Sequence, residues 1–109
     1  MAVKANIIID QGSDFKTELN ITDDFGDPVD LSGYTGVAQM RRHYTSVKFY
    51  SFAVTIDEDN GTVILSMDSD TTDSIPAGRY VYDCELTDSN GIVSRLVEGI
   101  VTVTPGVTR

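Results

Sequence analysis

The stretch from Gly78 to Pro105 constrains the fold most, because it reads as two long alternating strands around a tight turn. Tyr80, Tyr82, Cys84 and Leu86 share one parity, while Val81, Asp83, Glu85 and Thr87 share the other. Successive side chains of a strand point to opposite faces, so this pattern predicts a strand buried on one side. Asn90-Gly91 pairs two residues that tolerate positive φ and predicts a type I′ turn, with the return arm starting at Ile92. The polarity phase then breaks. Ile92, Ser94 and Leu96 fall on one parity, Val101 and Val103 on the other, and a β-bulge at Gly99 accounts for the change.

The rest of the chain repeats the same theme. Ile7 to Ile9 predicts a short strand, and Phe15, Thr17, Leu19 and Ile21 alternate with Lys16, Glu18 and Asn20 in a half-buried one. Asp23-Asp24-Phe25-Gly26-Asp27-Pro28 is dense in turn formers, and Val29 to Tyr34 reads as a wider connection with apolar anchors. A strand over about Thr35 to Arg42 follows. Phe52, Val54 and Ile56 then make a second hairpin with Val63, Leu65 and Met67 around Asp59-Asn60-Gly61. Between Asp68 and Ala77 the period of two is lost; Ser69 or Asp70 is placed to cap a single helical turn that Pro76 stops. About seven short strands with turn signals every eight to twelve residues or so predict an all-β, antiparallel immunoglobulin-like β-sandwich, with a small barrel as the alternative.

The whole chain of 109 residues reads as one domain, with short terminal arms at about residues 1–6 and 105–109. A domain of this size buries roughly two-thirds of its unfolded surface and needs no covalent staple. Cys84 is the single cysteine and lies in phase with Tyr80, Tyr82 and Leu86, which marks it as a small core residue. The apolar run Ile7 to Ile9 is too short for a membrane span or the core of a signal peptide. A net charge of −9 repels a phosphate backbone, so neither nucleic acid nor membrane is expected as a partner.

Chemistry-bearing patterns are few. Asp57-Glu58-Asp59-Asn60-Gly61 has the acidic density of a calcium loop, but the sixth position is Thr62 and the twelfth is Asp68, where an EF-hand needs glycine and glutamate. Asp68-Ser69-Asp70 is a bare D-x-D motif. His43 is the only histidine, which leaves a histidine relay or a two-histidine metal site without its second member. No nucleophile elbow, phosphate loop or Cys-x-x-Cys occurs. Catalytic residues, cofactor and metal are therefore all assigned as none. The one departure from acidity is Arg41-Arg42-His43-Tyr44 with Lys48-Phe49-Tyr50, where basic and aromatic residues interleave. Arg41, Arg42, Tyr44, Lys48 and Tyr50 are the candidate protein interface, since arginine and tyrosine suit interface anchoring. A strand end with snorkelling side chains is the competing reading.

Taken in order, several segments resemble a known family. They are Ile8-Ile9-Asp10-Gln11-Gly12 with Phe15, Gly26-Asp27-Pro28-Val29-Asp30-Leu31-Ser32-Gly33-Tyr34, Gln39-Met40-Arg41-Arg42 and Gly61-Thr62-Val63, followed by Ile75 to Asp83 and Leu96 to Pro105. This series resembles small virion structural proteins of contractile-tailed phages, especially those of cyanobacteria, and more distantly the immunoglobulin-like modules of phage tail and baseplate proteins. The resemblance implies a β-sandwich used as a building block in tail, baseplate, neck or head, assembled in the host cytoplasm. Its implied partners are other virion proteins and copies of itself. A ligand- or glycan-binding adhesion module is the alternative, with Tyr34, Tyr44 and Tyr50 as stacking faces.

Overall fold

Alternation along the chain becomes eight strands and one short helix in the computed structural model, which describes residues 3–107. The strands are β1 (Val3–Lys4), β2 (Ile7–Asp10), β3 (Phe15–Asn20), β4 (Thr35–Arg41), β5 (Tyr50–Asp57), β6 (Thr62–Met67), β7 (Gly78–Thr87) and β8 (Val93–Thr104); α1 (Ser69–Asp73) lies between β6 and β7. The fold is all-β. One sheet runs in the order β1-β8-β7-β4-β5-β6-β3, with β2 also on β8. It curls because β5 serves two partners: Tyr50 to Phe52 pair with β4, whereas Ala53 to Asp57 pair with β6. β1 and β3 remain unpaired with each other, and a cleft of about 500 Å³ lined by Val3, Ala5, Leu19, Ile21 and Leu96 separates them. The sheet is thus not closed into the barrel that the turn spacing also allowed.

Both inner faces carry the residues that alternation assigns to them. Tyr80, Tyr82, Cys84 and Leu86 are buried on β7; Val63, Leu65 and Met67 on β6; Phe52 on β5; Val101 and Val103 on β8. Phe52 joins the two sides through ring contacts with Phe15 and Tyr82, each at 6.0 Å between centroids. Burial of each such side chain contributes on the order of 1.5–3 kcal/mol, so strand phase rather than any single polar bond holds the fold. Leu31 and Ile75, both in connections, are also buried and plug the two ends of the core.

Four local expectations are corrected. First, the sheet is mixed and has eight strands, because β1 and β2 run parallel to β8, from Val3↔Val97 to Asp10↔Thr104. Residues 3–6 are consequently not an arm: Val3 and Lys4 are paired, Ala5 N–H donates to Glu98 O at 2.9 Å, and Asn6 Oδ1 accepts from Ile100 N–H at 3.1 Å. Residues 105–107 do lie beyond the last strand, and the remaining arm residues, 1–2 and 108–109, lie outside the described residues.

Second, the bulge sits at Leu96 and not at Gly99. Cys84 pairs with Val97 and Glu85 with Arg95, so Leu96 is the extra residue that carries β8 from one parity to the other. Gly99 pairs normally with Tyr82, and its lack of a side chain has a different use. A Cβ there would fall within 3 Å of Ala5 O and Ala5 C, where the β1–β2 connection crosses.

Third, the hairpin turn is not type I′. Only Gly91 has positive φ, and Gly91 N–H donates to Asp88 O at 3.0 Å, while Asp88 Oδ1 accepts from the N–H groups of Asn90 and Ile92. The aspartate side chain therefore closes a three-residue loop, a geometry that needs only one left-handed residue.

Fourth, Asp68 caps α1, ahead of Ser69 or Asp70, by accepting from Thr71 N–H at 2.8 Å. Hydrogen bonding by Thr71 holds the Asp68 carboxyl below its ordinary pKa. Behind this helix the fully buried Thr72 accepts from Gly12 N–H at 3.1 Å and donates to Ser13 O at 2.8 Å, tying α1 to the β2–β3 loop.

Candidate protein-docking site

β4 ends at Arg41 and β5 begins at Tyr50, so residues 42–49 connect adjacent antiparallel strands and must sit at one end of the sheet. A turn organises them: Ser46 N–H donates to His43 O at 3.0 Å and His43 N–H to Ser46 Oγ at 3.1 Å. The Pro76–Arg79 segment reaches the same end, because Arg41 is paired with Val81 of β7.

The five candidate interface residues separate into two groups. Arg41 turns back on its own loop: Nη1 donates to Ser46 O at 2.6 Å, Nη2 donates to Gln39 Oε1 at 3.1 Å, and the guanidinium covers Phe49 at 4.8 Å. Tyr44 stands on the loop at 86% exposure. Arg42, Lys48 and Tyr50 instead gather around a cavity of about 150 Å³, completed by Ser46, Pro76 and Tyr80. Arg42 lies over the Tyr80 ring at 4.7 Å and donates through Nη2 to Ala77 O at 3.2 Å; Lys48 Nζ lies 5.4 Å from the Tyr50 centroid. Tyr50 and Tyr80 meet edge to face at 6.1 Å, and Tyr80 Oη donates to Pro76 O at 2.6 Å. Burial pushes the Tyr80 pKa up, with the positive charge of Arg42 pulling the other way.

Electrostatics set this end apart. Among the described residues the ion pairs involve Lys16 with Glu18, and Arg95 with Asp83 and Glu98. Arg41, Arg42 and Lys48 have no carboxylate partner there, so their charges are compensated only by carbonyls and ring faces. Each cation over a ring contributes roughly 0.5–1 kcal/mol at an exposed site, which orders the cations without neutralising them. Val47 at 91% exposure and Phe49 at 44% add apolar surface beside them.

Tyr80 and Pro76 escape sequence reasoning. Tyr80 reads as the first buried residue of β7, and nothing in the spacing says that its ring edge meets Tyr50 across the sheet. Tyr34 packs against the core and lies on the connection preceding β4, at the far end from Tyr44 and Tyr50, so the three tyrosines do not form one stacking face. Cys84 is fully buried, and burial together with the charges of Asp83 and Glu85 pushes its thiol up to about 11. Among the described residues no group of three or more His, Cys, Asp or Glu side chains is gathered to hold a metal ion, and no helix is long and apolar enough to cross a membrane. Compared with known proteins, the chain matches no family model and no curated protein.

Proposed function

We propose that this chain is a non-enzymatic structural subunit of a tailed-phage virion that docks on a neighbouring virion subunit, another protein or a copy of itself, through the Arg42–Lys48–Tyr50 end. One observation carries the docking reading: an aromatic cavity rimmed by cations that have no carboxylate partner among the described residues, on a chain of net charge −9. Such a site favours an acidic, aromatic or apolar protuberance on a partner and disfavours like-charged copies in any other orientation.

The virion assignment rests on the ordered resemblance of the segments from Ile8 to Pro105. Strand order supports its immunoglobulin-like fold as well. β3-β6-β5 and β8-β7-β4 repeat the B-E-D and G-F-C orders of such sandwiches, with β5 passing from one layer to the other. The reading is tested on gradient-purified particles by mass spectrometry, with the wild-type chain and a Lys48→Glu, Tyr44→Ala variant. Wild-type chain is expected at stoichiometric occupancy and the variant at strongly reduced occupancy. Absence of the wild-type chain from washed particles overturns the virion reading; normal occupancy of the variant overturns the site.

A further inference from the structure

We infer that the occupant of the Tyr50–Tyr80 cavity is Phe25 of a second copy, so that subunits join head to tail. This inference rests on the reading of the basic end as a docking site and names its partner.

Phe25 is the most exposed aromatic of the described residues, at 89%, and it stands on a loop built to hold it out. Thr22 bridges Pro28, Asp23 N–H donates to Asp27 O at 2.8 Å, and Gly26 N–H donates to Asp23 O at 3.0 Å. Asp23 Oδ1 accepts from the N–H groups of Phe25 and Asp27 at 2.9 and 3.0 Å, which spends one carboxylate on rigidity. The neighbouring Asp24 and Asp27 carboxylates make no ion pair among the described residues. A preorganised loop loses little freedom on docking, so even a small contact is productive.

Complementarity is threefold. In size, a cavity of about 150 Å³ accepts a benzene-sized ring between Tyr50 and Pro76, with the buried Tyr80, covered on one face by Arg42, behind them. In charge, Asp24 and Asp27 lie within two residues of Phe25 on the loop, and Arg42 and Lys48 line the cavity. In position, the two features lie at opposite ends of the sheet: β5 runs from the cavity at Tyr50 to Asp57, and the turn after it touches the Phe25 loop stem through Ile21 N–H to Gly61 O at 2.8 Å. A contact between unlike ends cannot satisfy itself within one pair and therefore propagates, as rings or rows. One such contact is weak alone and becomes strong when a particle supplies a second.

The test uses the purified chain in sedimentation velocity over a concentration series at low and high salt. Phe25→Ala spoils the tip only, and Lys48→Glu spoils the cavity only; far-ultraviolet circular dichroism checks that both fold. Wild-type chain is expected to form oligomers that grow with concentration and dissolve in salt, and each variant to associate about tenfold or more weakly. Mixing the two variants is decisive, because each retains one good end: a one-to-one dimer that does not extend is expected. Absence of that dimer, or undiminished association of either variant, overturns the inference. If Lys48→Glu is lost from particles while Phe25→Ala is incorporated normally, another protein fills the cavity; that result overturns self-docking and leaves the docking reading standing.

Discussion

Replacing Gly99 by alanine tests why a glycine stands in the middle of the longest strand. The added Cβ would clash with Ala5 O and come within 2.8 Å of Ala5 C and 3.1 Å of Asn6 Oδ1, so the connection between β1 and β2 must move away. Three hydrogen bonds converge on that connection: Ala5 N–H to Glu98 O, Tyr82 Oη–H to Ala5 O at 2.5 Å, and Ile100 N–H to Asn6 Oδ1. At roughly 0.5–1.5 kcal/mol net each, their loss costs about 1.5–4.5 kcal/mol. Exchanging a strand glycine for alanine returns about 0.5–1 kcal/mol of backbone entropy. The expected net loss is about 2 kcal/mol, a fall in Tm on the order of 10 °C for a domain of this size.

The assay is urea and thermal unfolding of the wild-type chain and the Gly99→Ala variant, measured at full length and again after deletion of residues 1–6. Deletion removes all three atoms that the new Cβ meets. The substitution should then become neutral or mildly stabilising, a change of sign that a bulge at Gly99 does not predict. An equal cost in both backgrounds would refute the argument, and so would an unchanged midpoint in the full chain.

The remaining predictions concern other parts of the framework. Deleting Leu96 should leave a folded chain with an unchanged far-ultraviolet spectrum, since the halves of β8 on either side of the bulge stay in phase, whereas deleting Ile100 turns Val101 and Val103 outward and should abolish cooperative unfolding. Thr72→Val keeps the shape of a buried side chain but strands Gly12 N–H and Ser13 O; a loss of about 2 kcal/mol is expected in denaturant titration, and a loss under about 0.5 kcal/mol would count against the tie. Burial raises Tyr82 from 10.0 to about 12 and Cys84 from 9.0 to about 11. Both folded values exceed the unfolded ones, so their contribution is complete below pH 9 and is lost as pH rises toward 12. Tyr82→Phe should flatten the upper part of that decline, and an identical slope in the two proteins would show that Tyr82 is not its source.

Local chemistry was enough to place most strands. Period-two alternation marked the buried parity of β5, β6 and β7 and the half-buried face of β3, because in a strand the side-chain direction follows from position alone. The phase break in β8 was equally visible. Its location was not: Leu96, Val97 and Gly99 are all compatible with a bulge, and only the pairing with Cys84 and Glu85 selects Leu96. Likewise Asp88 decides the hairpin turn from outside the Asn90-Gly91 pair, through side-chain bonds that a dipeptide rule does not contain.

At the docking site the same division holds. Composition by itself determined that residues 41–50 are the one basic, aromatic segment of an acidic chain, since charge and side-chain type need no fold to be counted. Tertiary structure decided what that segment can hold. It turned Arg41 onto its own loop carbonyls, brought Tyr80 and Pro76 to Arg42, Lys48 and Tyr50, and set the Phe25 loop at the opposite end. A cavity is a relation among residues far apart in the chain, and the pairing of β4 with both β5 and β7 is what creates that relation.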